Sequence, residues 1–421
     1  MNRVTFNKQL CKGCGLCVDA CPKKILALNK DEINAKGYHP AMMTDQEKCI
    51  ACAMCAMMTS SLRSKRRYEH MSEKLLMKGN EAIAEAAIRS GCKLFFGYPI
   101  TPQTELSEYM AKNMPKRGGL SLQAESEIAA INMVLGASAS GARAITSSSS
   151  PGISLKCEGI SYIAGSDLPC VIVNVQRGGP GLGGIQPAQS DYNQATKAPG
   201  HGDLHMIVLA PASVQEMASL TGLAFDLADI YRMPAMILAD GALGQMMEPV
   251  DFEEHKARVI PEKTWACNGH AGKRQHNIIN SLYIEPEVLE KTVIDRFEKY
   301  KYIEENEVIC DKSLCDDADI VVVAYGITAR VARSAVRLAR ENGIKAGLFR
   351  CVTLYPFPNK ELCEVADTAK KFLSVEMNMG QMVNDVKLAI NCKVPVEHFG
   401  RTGGMVPTVD EIYEQLVRMS K

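Results

Sequence analysis

Apolar positions in the chain from residue 75 onward alternate between helical spacing and short continuous runs. Residues 81–90 place alanine and isoleucine at helical spacing, Gly91 ends that helix, and the apolar run 94–96 predicts a strand. Further helices are expected at 101–114 and 124–140, from the loop 147–152 to about 165, between 210 and 235, and at 286–303 and 328–342. Further strands are expected at 143–147, 170–175, 206–210, 235–239, 320–324, 345–350, 372–375 and 395–399. Such alternation predicts parallel sheets that are covered by helices on both faces.

The character of the sequence changes four times along the chain. We expect a cysteine-rich module, a linker, an α/β domain, a polar connecting segment and a second, smaller α/β domain, at 1–62, 63–74, 75–245, 246–310 and 311–421. The linker contains the basic residues Arg63, Lys65, Arg66 and Arg67. This stretch is either a solvated connection or a docking site for an acidic partner.

Composition excludes several classes of protein. Hydrophobic residues make up 46% and charged residues 23% of 421, and the formal net charge is zero, so no global field favours nucleic acid or an anionic membrane. No apolar run approaches the roughly 18 residues of a membrane span, and the N-terminus leads directly into the cysteine pattern. We therefore expect a cytoplasmic protein. Nine of the sixteen cysteines are scattered singly, which is typical of small buried hydrophobes and not of a disulfide framework.

Two cysteine runs near the N-terminus have the spacing of iron–sulfur ligands. The first reads C-x2-C-x2-C-x3-C-P and comprises Cys11, Cys14, Cys17 and Cys21. The second comprises Cys49, Cys52 and Cys55, and has Thr59 where a fourth cysteine is expected. Paired cysteines also suit zinc, but these tight triplets favour a two-cluster iron–sulfur module.

The missing cysteine makes the two expected clusters unequal. In two-cluster ferredoxins the fourth cysteine of each run ligates the other cluster. This rule assigns Cys21, Cys49, Cys52 and Cys55 to one complete [4Fe–4S] site. The second site keeps only Cys11, Cys14 and Cys17. It would hold a [3Fe–4S] cluster, a four-iron cluster with water or another side chain on the open iron, or no cluster.

In open α/β folds, ligands bind at the edge of the sheet formed by the carboxyl ends of the strands. Three loops leave strands at this edge of the first predicted sheet, namely 97–102, 147–152 and 177–191. Thr101 fits an N-cap with Pro102 in the first helical position, which would direct its hydroxyl and the helix dipole toward an anion. Arg177 opens the glycine-rich third loop and can form a two-pronged contact with a carboxylate. The alternatives are a plain N-cap for Thr101 and a surface charge for Arg177.

Two glutamates and a glycine-rich stretch give weaker signals by themselves. Glu125 and Glu127 stand at the start of a predicted helix, where acidic residues commonly stabilise the first turn. The glycines of 178–184 could approach a phosphate, but the stretch lacks the lysine of a phosphate-binding P-loop. It is more consistent with a tight loop beside a substrate.

Three of these segments together resemble a known family. They are Gly-Tyr-Pro-Ile-Thr-Pro at 97–102, Gln-Ala-Glu-Ser-Glu at 123–127 and Arg-Gly-Gly-Pro-Gly at 177–181. The chain is similar to the 2-oxoacid:ferredoxin oxidoreductases, and most of all to the alpha-type subunits of the branched-chain (2-ketoisovalerate) enzymes. The resemblance runs from about residue 75 to the C-terminus and includes segments 187–191, 201–203 and 401–404.

The resemblance implies a fold, a reaction and three site residues. It implies a thiamine-enzyme pyrimidine-type domain and a smaller transketolase C-terminal-like domain, preceded by a small α+β ferredoxin-like module. The reaction would convert a 2-oxoacid and CoA to acyl-CoA and CO2 and reduce ferredoxin. By resemblance, Glu127 holds the aminopyrimidine ring of thiamine diphosphate, whereas Thr101 and Arg177 hold the substrate carboxylate.

One family motif is absent from the sequence. Diphosphate and Mg²⁺ are held in this family by a Gly-Asp-Gly motif, which does not occur here. The resemblance therefore implies a beta-type partner that supplies these groups, and it also suggests a gamma-type subunit. A branched-chain substrate fits best, followed by 2-oxoglutarate and pyruvate. The contrasting hypothesis is a non-catalytic electron-transfer or scaffold subunit, which would have no chemical reason to keep Thr101, Glu127 and Arg177.

Overall fold

The protein is described by a computed structural model that covers residues 3–49, 55, 62–65, 74–253 and 255–421. The chain forms two compact units, residues 1–73 and 74–421, and each is described by itself. The proposed ligand Cys52 and the position Thr59 lie outside the described residues, as do Arg66 and Arg67. No helix in the described ranges is both long and apolar enough to cross a membrane.

The first unit is a small α+β module. Its elements are β1 (Arg3–Phe6), a 3-10 turn (Lys8–Leu10), α1 (Leu16–Asp19), β2 (Leu26–Leu28), β3 (Ala41–Met43) and β4 (Leu62–Lys65). Strand β1 pairs antiparallel with β4, and β2 pairs antiparallel with β3. Residues 63–65 therefore belong to a strand, not to the linker expected from their charge, because their backbone pairs with residues 3–5.

The second unit contains the α/β part of the chain. Its strands are β5 (Leu75–Lys78), β6 (Leu94–Gly97), β7 (Leu120–Gln123), β8 (Ala144–Ser148), β9 (Cys170–Gln176), β10 (Ile207–Leu209), β11 (Pro234–Asp240), β12 (Met247–Val250), β13 (Cys310–Ser313), β14 (Ile320–Ala324), β15 (Ala346–Cys351), β16 (Thr353–Tyr355), β17 (Lys371–Glu376) and β18 (Val396–Gly400). Its helices are α2 (Gly79–Arg89), α3 (Thr104–Asn113), α4 (Glu127–Ala139), α5 (Ser150–Gly165), α6 (Tyr192–Thr196), α7 (Val214–Tyr231), α8 (Gly241–Gln245), α9 (Pro286–Asn306), α10 (Gly326–Glu341), α11 (Asn359–Val365), α12 (Met382–Ala389) and α13 (Val409–Ser420), with a 3-10 turn at Pro115–Arg117.

A seven-stranded sheet organises the first half of this unit, in the order β16-β10-β11-β9-β8-β6-β7. All neighbours pair in parallel except β16, which runs antiparallel to β10. Every residue of β9 and β11 is buried, as expected for central strands covered on both faces. Because the strands are parallel, the ends of β6, β8 and β9 lie at one edge of the sheet.

A five-stranded sheet organises the second half, in the order β13-β15-β14-β17-β18. Only β13 is antiparallel to its neighbour. The buried side chain of Gln189 links the two halves, because its Nε2 donates to the carbonyl of Tyr325 (2.9 Å) and its Oε1 accepts from the amide of Met377 (3.1 Å). The sequence pattern missed β5, β7, β12, β13 and β16, which lie at the edges of the two large sheets or in the two-stranded sheet β12-β5.

Candidate active site

The loops after β6 and β9 meet at the edge of the seven-stranded sheet. Nη1 of Arg177 donates a 2.9 Å hydrogen bond to the backbone carbonyl oxygen of Thr101. Both residues are therefore brought together, as the sequence analysis expects from their positions after parallel strands. The contact uses the backbone of Thr101, and the Thr101 side chain is exposed.

The N-cap role expected for Thr101 is wrong. Helix α3 begins at Thr104, and the N-cap position is Gln103, whose side chain makes no capping bond. Residues 100–103 instead form a turn in which the Gln103 amide donates to the Ile100 carbonyl (3.2 Å). The anion argument therefore cannot rest on the helix N-terminus at Thr101. It rests on Arg177.

Arg177 is a buried charge, with only 7% of its surface exposed, so the surface-charge alternative is excluded. Its Nη2 donates to the carbonyl of Leu182 (3.3 Å), and its Nε has no hydrogen-bond partner among the described residues. Its guanidinium forms hydrogen bonds to carbonyl oxygens, and none to a carboxylate, within the described chain. A buried cation of this kind is costly unless an anion compensates it.

Ser150, in the first turn of α5, holds the backbone of Arg177 in place. The Ser150 hydroxyl accepts from the Arg177 amide (3.1 Å) and lies 2.6 Å from Oδ2 of Asp191, to which it donates. Asn174 also donates to this carboxylate (2.9 Å). Burial raises the pKa of Asp191, and the hydrogen bonds from Ser150 and Asn174 partly oppose that rise. The sequence analysis did not identify Ser150 or Asp191 individually, although both lie in loops that it placed at this edge.

Glu127, on α4, packs against Gly152 in the first turn of α5. It opens α4, whose N-cap Ser126 accepts from the Ala129 amide (3.2 Å), and only 6% of its surface is exposed. Glu125 is exposed. A Cβ atom added at Gly152 would lie 2.7 Å from Oε1 of Glu127, so the carboxylate packs directly over this glycine. Glu127 is thus a buried carboxylate and not an ordinary first-turn charge.

Two buried hydroxyls at the end of β8 and the start of α5 lack partners among the described residues, and that of Ser148 faces the same space as Glu127. The hydroxyls of Ser148 and Ser149 form no hydrogen bond within the described residues. A Cβ atom at Gly152 would lie 2.0 Å from the Ser148 hydroxyl, so the glycine keeps open the space that the carboxylate and the hydroxyl face. Orphaned buried hydroxyls usually indicate a missing polar partner. This environment fits a polar heterocycle held against Glu127.

The cysteines of the first unit gather in its small core. Cys11, Cys17 and Cys55 are buried with Leu26 and Ala41, whereas Cys21 and Cys49 are partly buried and Cys14 is exposed. Among the described residues, no three side chains converge as ligands of a single metal ion.

Backbone geometry around Cys11 suits an iron–sulfur cluster. The amides of Gly13 and Ala41 point at its Sγ, at 3.5 and 3.3 Å, and amide hydrogen bonds to sulfur are a recognised means of tuning such clusters. Gly13 has a φ of +62°, and a Cβ there would lie 2.8 Å from the carbonyl of His39, so the loop requires glycine. Burial raises the pKa of Cys17, and the nearby thiols of Cys11 and Cys14 raise it further.

Comparison with known protein families identifies the chain. Residues 85–307 match the sequence profile of the pyruvate flavodoxin/ferredoxin oxidoreductase thiamine diphosphate-binding domain, which is more than half of the chain. The chain belongs to the 2-oxoacid:ferredoxin oxidoreductases. Residues 318–412 match core domain II of pyruvate:ferredoxin oxidoreductase, and residues 10–58 match a 4Fe-4S dicluster domain.

Individual relatives agree with this assignment. The ketoisovalerate oxidoreductase subunit VorB of Methanothermobacter thermautotrophicus is 49% identical over 81% of this chain and 96% of its own. The 2-oxoglutarate synthase subunit KorA of Methanothermobacter marburgensis is 37% identical over 83% of this chain and all of its own. The expected alpha-type 2-oxoacid:ferredoxin oxidoreductase function is therefore confirmed, and the protein is an enzyme subunit, not a bare scaffold.

Solved structures agree with the fold. A 2-oxoglutarate:ferredoxin oxidoreductase from Magnetococcus marinus matches with a TM-score of 0.77 and 28% identity, over 88% of this chain and 69% of that one. A split-gene transketolase matches with a TM-score of 0.50 and 15% identity, over 81% of this chain and 97% of that one, which bears on the fold alone. The expected fold class is confirmed.

Proposed function

We propose that the chain acts with a beta-type partner in the oxidative decarboxylation of a branched-chain 2-oxoacid, namely 2-ketoisovalerate. The products would be acyl-CoA, CO2 and reduced ferredoxin. The observation that carries the proposal is the buried Arg177 guanidinium, whose Nε has no partner within the described chain. A 2-oxoacid brings the carboxylate that this cation lacks.

Arg177 would bind the substrate carboxylate. The carbonyls of Thr101 and Leu182 fix the two outer nitrogens of the guanidinium and therefore its plane. A planar guanidinium held in this way binds a carboxylate in one orientation, which in turn aligns the adjacent keto carbon. The exposed side chain of Thr101 lies on the same loop and supplies a hydroxyl for a second contact.

The loop that follows Arg177 favours an aliphatic substrate. Leu182 and Ile185 expose 83% and 57% of their surfaces, and Arg177 holds the loop through the Leu182 carbonyl. Residues 178–186 contain no charged side chain. A second substrate carboxylate, as in 2-oxoglutarate, would need a cation that this loop does not offer. The relatives named for ketoisovalerate point to the same substrate class.

Glu127 would hold the pyrimidine ring of thiamine diphosphate. When bound, this cofactor supplies the nucleophilic carbon that attacks the keto group. Glu127 would hold or release a proton at the carboxyl oxygen that faces the ring. Because the side chain is buried, water is excluded from this position. The unpartnered hydroxyls of Ser148 and Ser149 would contact the same ring.

The outer faces of α4 and α5 support a partner subunit. Glu127 is the only charged residue of α4, and its remaining face is as apolar as its buried one. Ile128 and Met133 on α4 and Leu155 and Tyr162 on α5 expose between 37% and 52% of their surfaces. Helices that are apolar all round are normally buried. The beta-type partner, carrying the diphosphate and Mg²⁺ sites, would cover this face beside Glu127; a gamma-type subunit completes the proposed assembly.

The first unit would carry electrons to ferredoxin. We assign one [4Fe–4S] cluster to Cys21, Cys49, Cys52 and Cys55, and a deficient site to Cys11, Cys14 and Cys17. The core formed by the described cysteines, and the amides directed at Cys11, support a cluster-binding module.

A substrate panel tests the proposed activity. The chain is co-expressed with its partner subunits, and ferredoxin reduction is measured with 2-ketoisovalerate, 2-oxoglutarate and pyruvate in the presence of CoA. We expect the highest kcat/KM with 2-ketoisovalerate. A preference for 2-oxoglutarate would contradict the proposed substrate, and no reduction with any 2-oxoacid would contradict the proposed reaction.

A further inference from the structure

Asp191 lies where the two α/β halves meet. It lines a cavity to which the first half contributes the glycine-rich loop 178–181 and the second half contributes Asn378 and Met379. Within the described ranges, both side-chain hydrogen bonds to its carboxylate come from neutral groups, the Ser150 hydroxyl (2.6 Å) and the Asn174 amide (2.9 Å). The carboxylate is therefore held by hydrogen bonds to these two residues.

The carboxylate determines the direction in which the Ser150 hydroxyl donates. Two acceptors lie close to this hydroxyl, Oδ2 of Asp191 at 2.6 Å and the backbone carbonyl oxygen of Arg177 at 3.2 Å. A hydroxyl carries only one hydrogen, and its bond to a charged acceptor is the stronger one. The hydrogen therefore points to Asp191, which leaves the lone pairs of the Ser150 oxygen to accept from the Arg177 amide (3.1 Å).

Asn174 closes this set of hydrogen bonds. It is fully buried on β9, three residues before Arg177. Its Nδ2 donates to Oδ2 of Asp191 (2.9 Å), and its Oδ1 accepts from the backbone amide of Ser150 (3.2 Å). A polar network in which the members satisfy one another favours one arrangement of its groups. Asp191, Asn174 and Ser150 therefore hold the start of the glycine-rich loop in one position.

The second half of the unit fixes the backbone on both sides of Asp191. Nε2 of Gln381 donates to the carbonyl oxygen of Ser190 (2.8 Å), and Oε1 of Gln381 accepts from the backbone amide of Asn193 (2.9 Å). The Gln189 side chain, which links the two halves, lies just before this segment. The position of Asp191 thus depends on the second half, whereas its carboxylate binds residues of the first.

We propose that Asp191 is a positioning residue for substrate binding: its carboxylate orients the Ser150 hydroxyl, which holds the Arg177 backbone so that the guanidinium faces the substrate carboxylate. This inference rests on the proposed role of Arg177. Asp191 acts through Ser150 and does not itself bind the substrate carboxylate. A two-pronged contact between a guanidinium and a carboxylate requires alignment, so a displaced Arg177 backbone weakens binding.

The first test separates KM from kcat in the complete complex. Asp191→Ala removes the acceptor of the Ser150 hydroxyl. We expect KM for the 2-oxoacid to rise about tenfold and kcat to change less than about threefold. Asp191→Asn keeps an oxygen that can accept from Ser150 and Asn174, so its KM is expected to stay within about threefold of wild type. An unchanged KM in Asp191→Ala overturns the inference.

Asp226→Ala is the matched control. Asp226 is a buried carboxylate of α7 that binds Arg143 (2.8 Å) and His255 (3.1 Å). Because Arg143 precedes β8 and Ser150 follows it, these two carboxylates lie at opposite edges of the sheet. We expect Asp226→Ala to lower the unfolding midpoint and to leave KM unchanged. An equal rise in KM in this variant would mean that general destabilisation explains the effect, and would refute the role of Asp191.

A double variant tests whether Asp191 acts through Ser150. If it does, Ser150→Ala raises KM to a similar extent, and Ser150→Ala/Asp191→Ala is no weaker than either single variant by more than about twofold. Effects on KM that multiply in the double variant contradict this route. Asp191→Ser, whose side chain is too short to reach Ser150, is a second replacement if the alanine variant assembles poorly.

A crystal structure of the Asp191→Ala complex without substrate gives a result that does not depend on turnover. We expect the hydrogen bond between Nη1 of Arg177 and the carbonyl oxygen of Thr101 to be lost. An unmoved Arg177 refutes the coupling even if the enzyme is active. Conversely, a displaced Arg177 in the variant, together with a wild-type complex that reduces no ferredoxin with any 2-oxoacid, refutes the proposed function and leaves the coupling intact.

Discussion

The guanidinium of Arg177 is anchored to the backbone of Thr101 and not to its side chain. This 2.9 Å bond joins the loops after β6 and β9 across the end of β8, which lies between those two strands. The anchor is therefore independent of which side chain occupies position 101. It fixes the plane of the guanidinium, whereas Nε remains without a partner in the described residues.

Replacing Arg177 with lysine is expected to weaken substrate binding strongly. Lysine keeps the charge but cannot bond to both loop carbonyls and a carboxylate in one plane. Hydrogen bonds to charged groups contribute about 1.5–3 kcal/mol, so kcat/KM is expected to fall about 10- to 100-fold, mainly through KM. Steady-state kinetics check this. Arg330→Lys, in a partly exposed arginine paired with Glu248, is the control and is expected to behave as wild type.

Replacing Thr101 with valine separates its hydroxyl from its carbonyl. Valine has nearly the same shape and leaves the backbone bond to Arg177 in place. Loss of one neutral hydrogen bond of about 1 kcal/mol predicts a rise in KM of roughly fivefold without loss of thermal stability. Unchanged kinetics in this variant would show that the Thr101 hydroxyl does not contact the substrate, and would leave the proposed role of Arg177 intact.

Glu127→Gln is expected to be nearly inactive. Glutamine fills the same volume but cannot exchange a proton with the ring, and positioned proton transfer contributes about 100- to 10,000-fold. The measurement is single-turnover reduction of ferredoxin by the complete complex. Glu125→Gln is the matched control two positions away, because Glu125 is exposed. Full activity of Glu127→Gln would eliminate the assigned role.

Gly152→Ala should damage the site through crowding. The added methyl group would meet the Ser148 hydroxyl at 2.0 Å and Glu127 at 2.7 Å. Overpacking of this kind costs about 1–3 kcal/mol of folding free energy, which denaturant unfolding measures. We expect the double variant Ser148→Ala/Gly152→Ala to regain part of the stability but not the activity, because the contact with Glu127 remains. Recovery of full activity would show that the position of Glu127 tolerates displacement.

Iron analysis distinguishes the two cluster sites. We expect low-temperature EPR and iron quantitation to show one ordinary [4Fe–4S] cluster, which Cys21→Ser abolishes, and a three-iron, labile or empty second site. Thr59→Cys is expected to convert the second site to an ordinary [4Fe–4S] cluster, since it restores the missing thiolate. Two ordinary clusters in the unmodified chain would mean that another residue supplies the fourth ligand.

The sequence predicts strands and helices well where their pattern is strong. The fully buried strand β14 has the predicted bounds, Ile320–Ala324, and α4 agrees with its expected range within a few residues. Strand β7 was missed because its four residues are mostly exposed or partly buried at the sheet edge, which leaves no apolar run. The start of α3 was displaced because a turn before Thr104 carries the same residue types as a helix cap.

The sequence proposes candidate site residues but not the geometry that the structure gives them. The position of Arg177 after a parallel strand indicated the correct edge of the sheet, but its burial depends on the loop that folds back through Leu182. Lys156, a buried residue of α5, gave no signal, because a lone lysine in a helix is usually exposed. Only its burial against Thr146 and Ser147 of β8 distinguishes it from a surface charge.

Strand β16 has a consequence for folding. Residues 353–355 belong by sequence to the second half of the large unit, yet they complete the first sheet by pairing with β10. A chain that stops before β13 would expose the edge of β10, and unpaired edges promote aggregation. We therefore expect the two halves to fold together, and truncation that isolates the first half is expected to give an insoluble product.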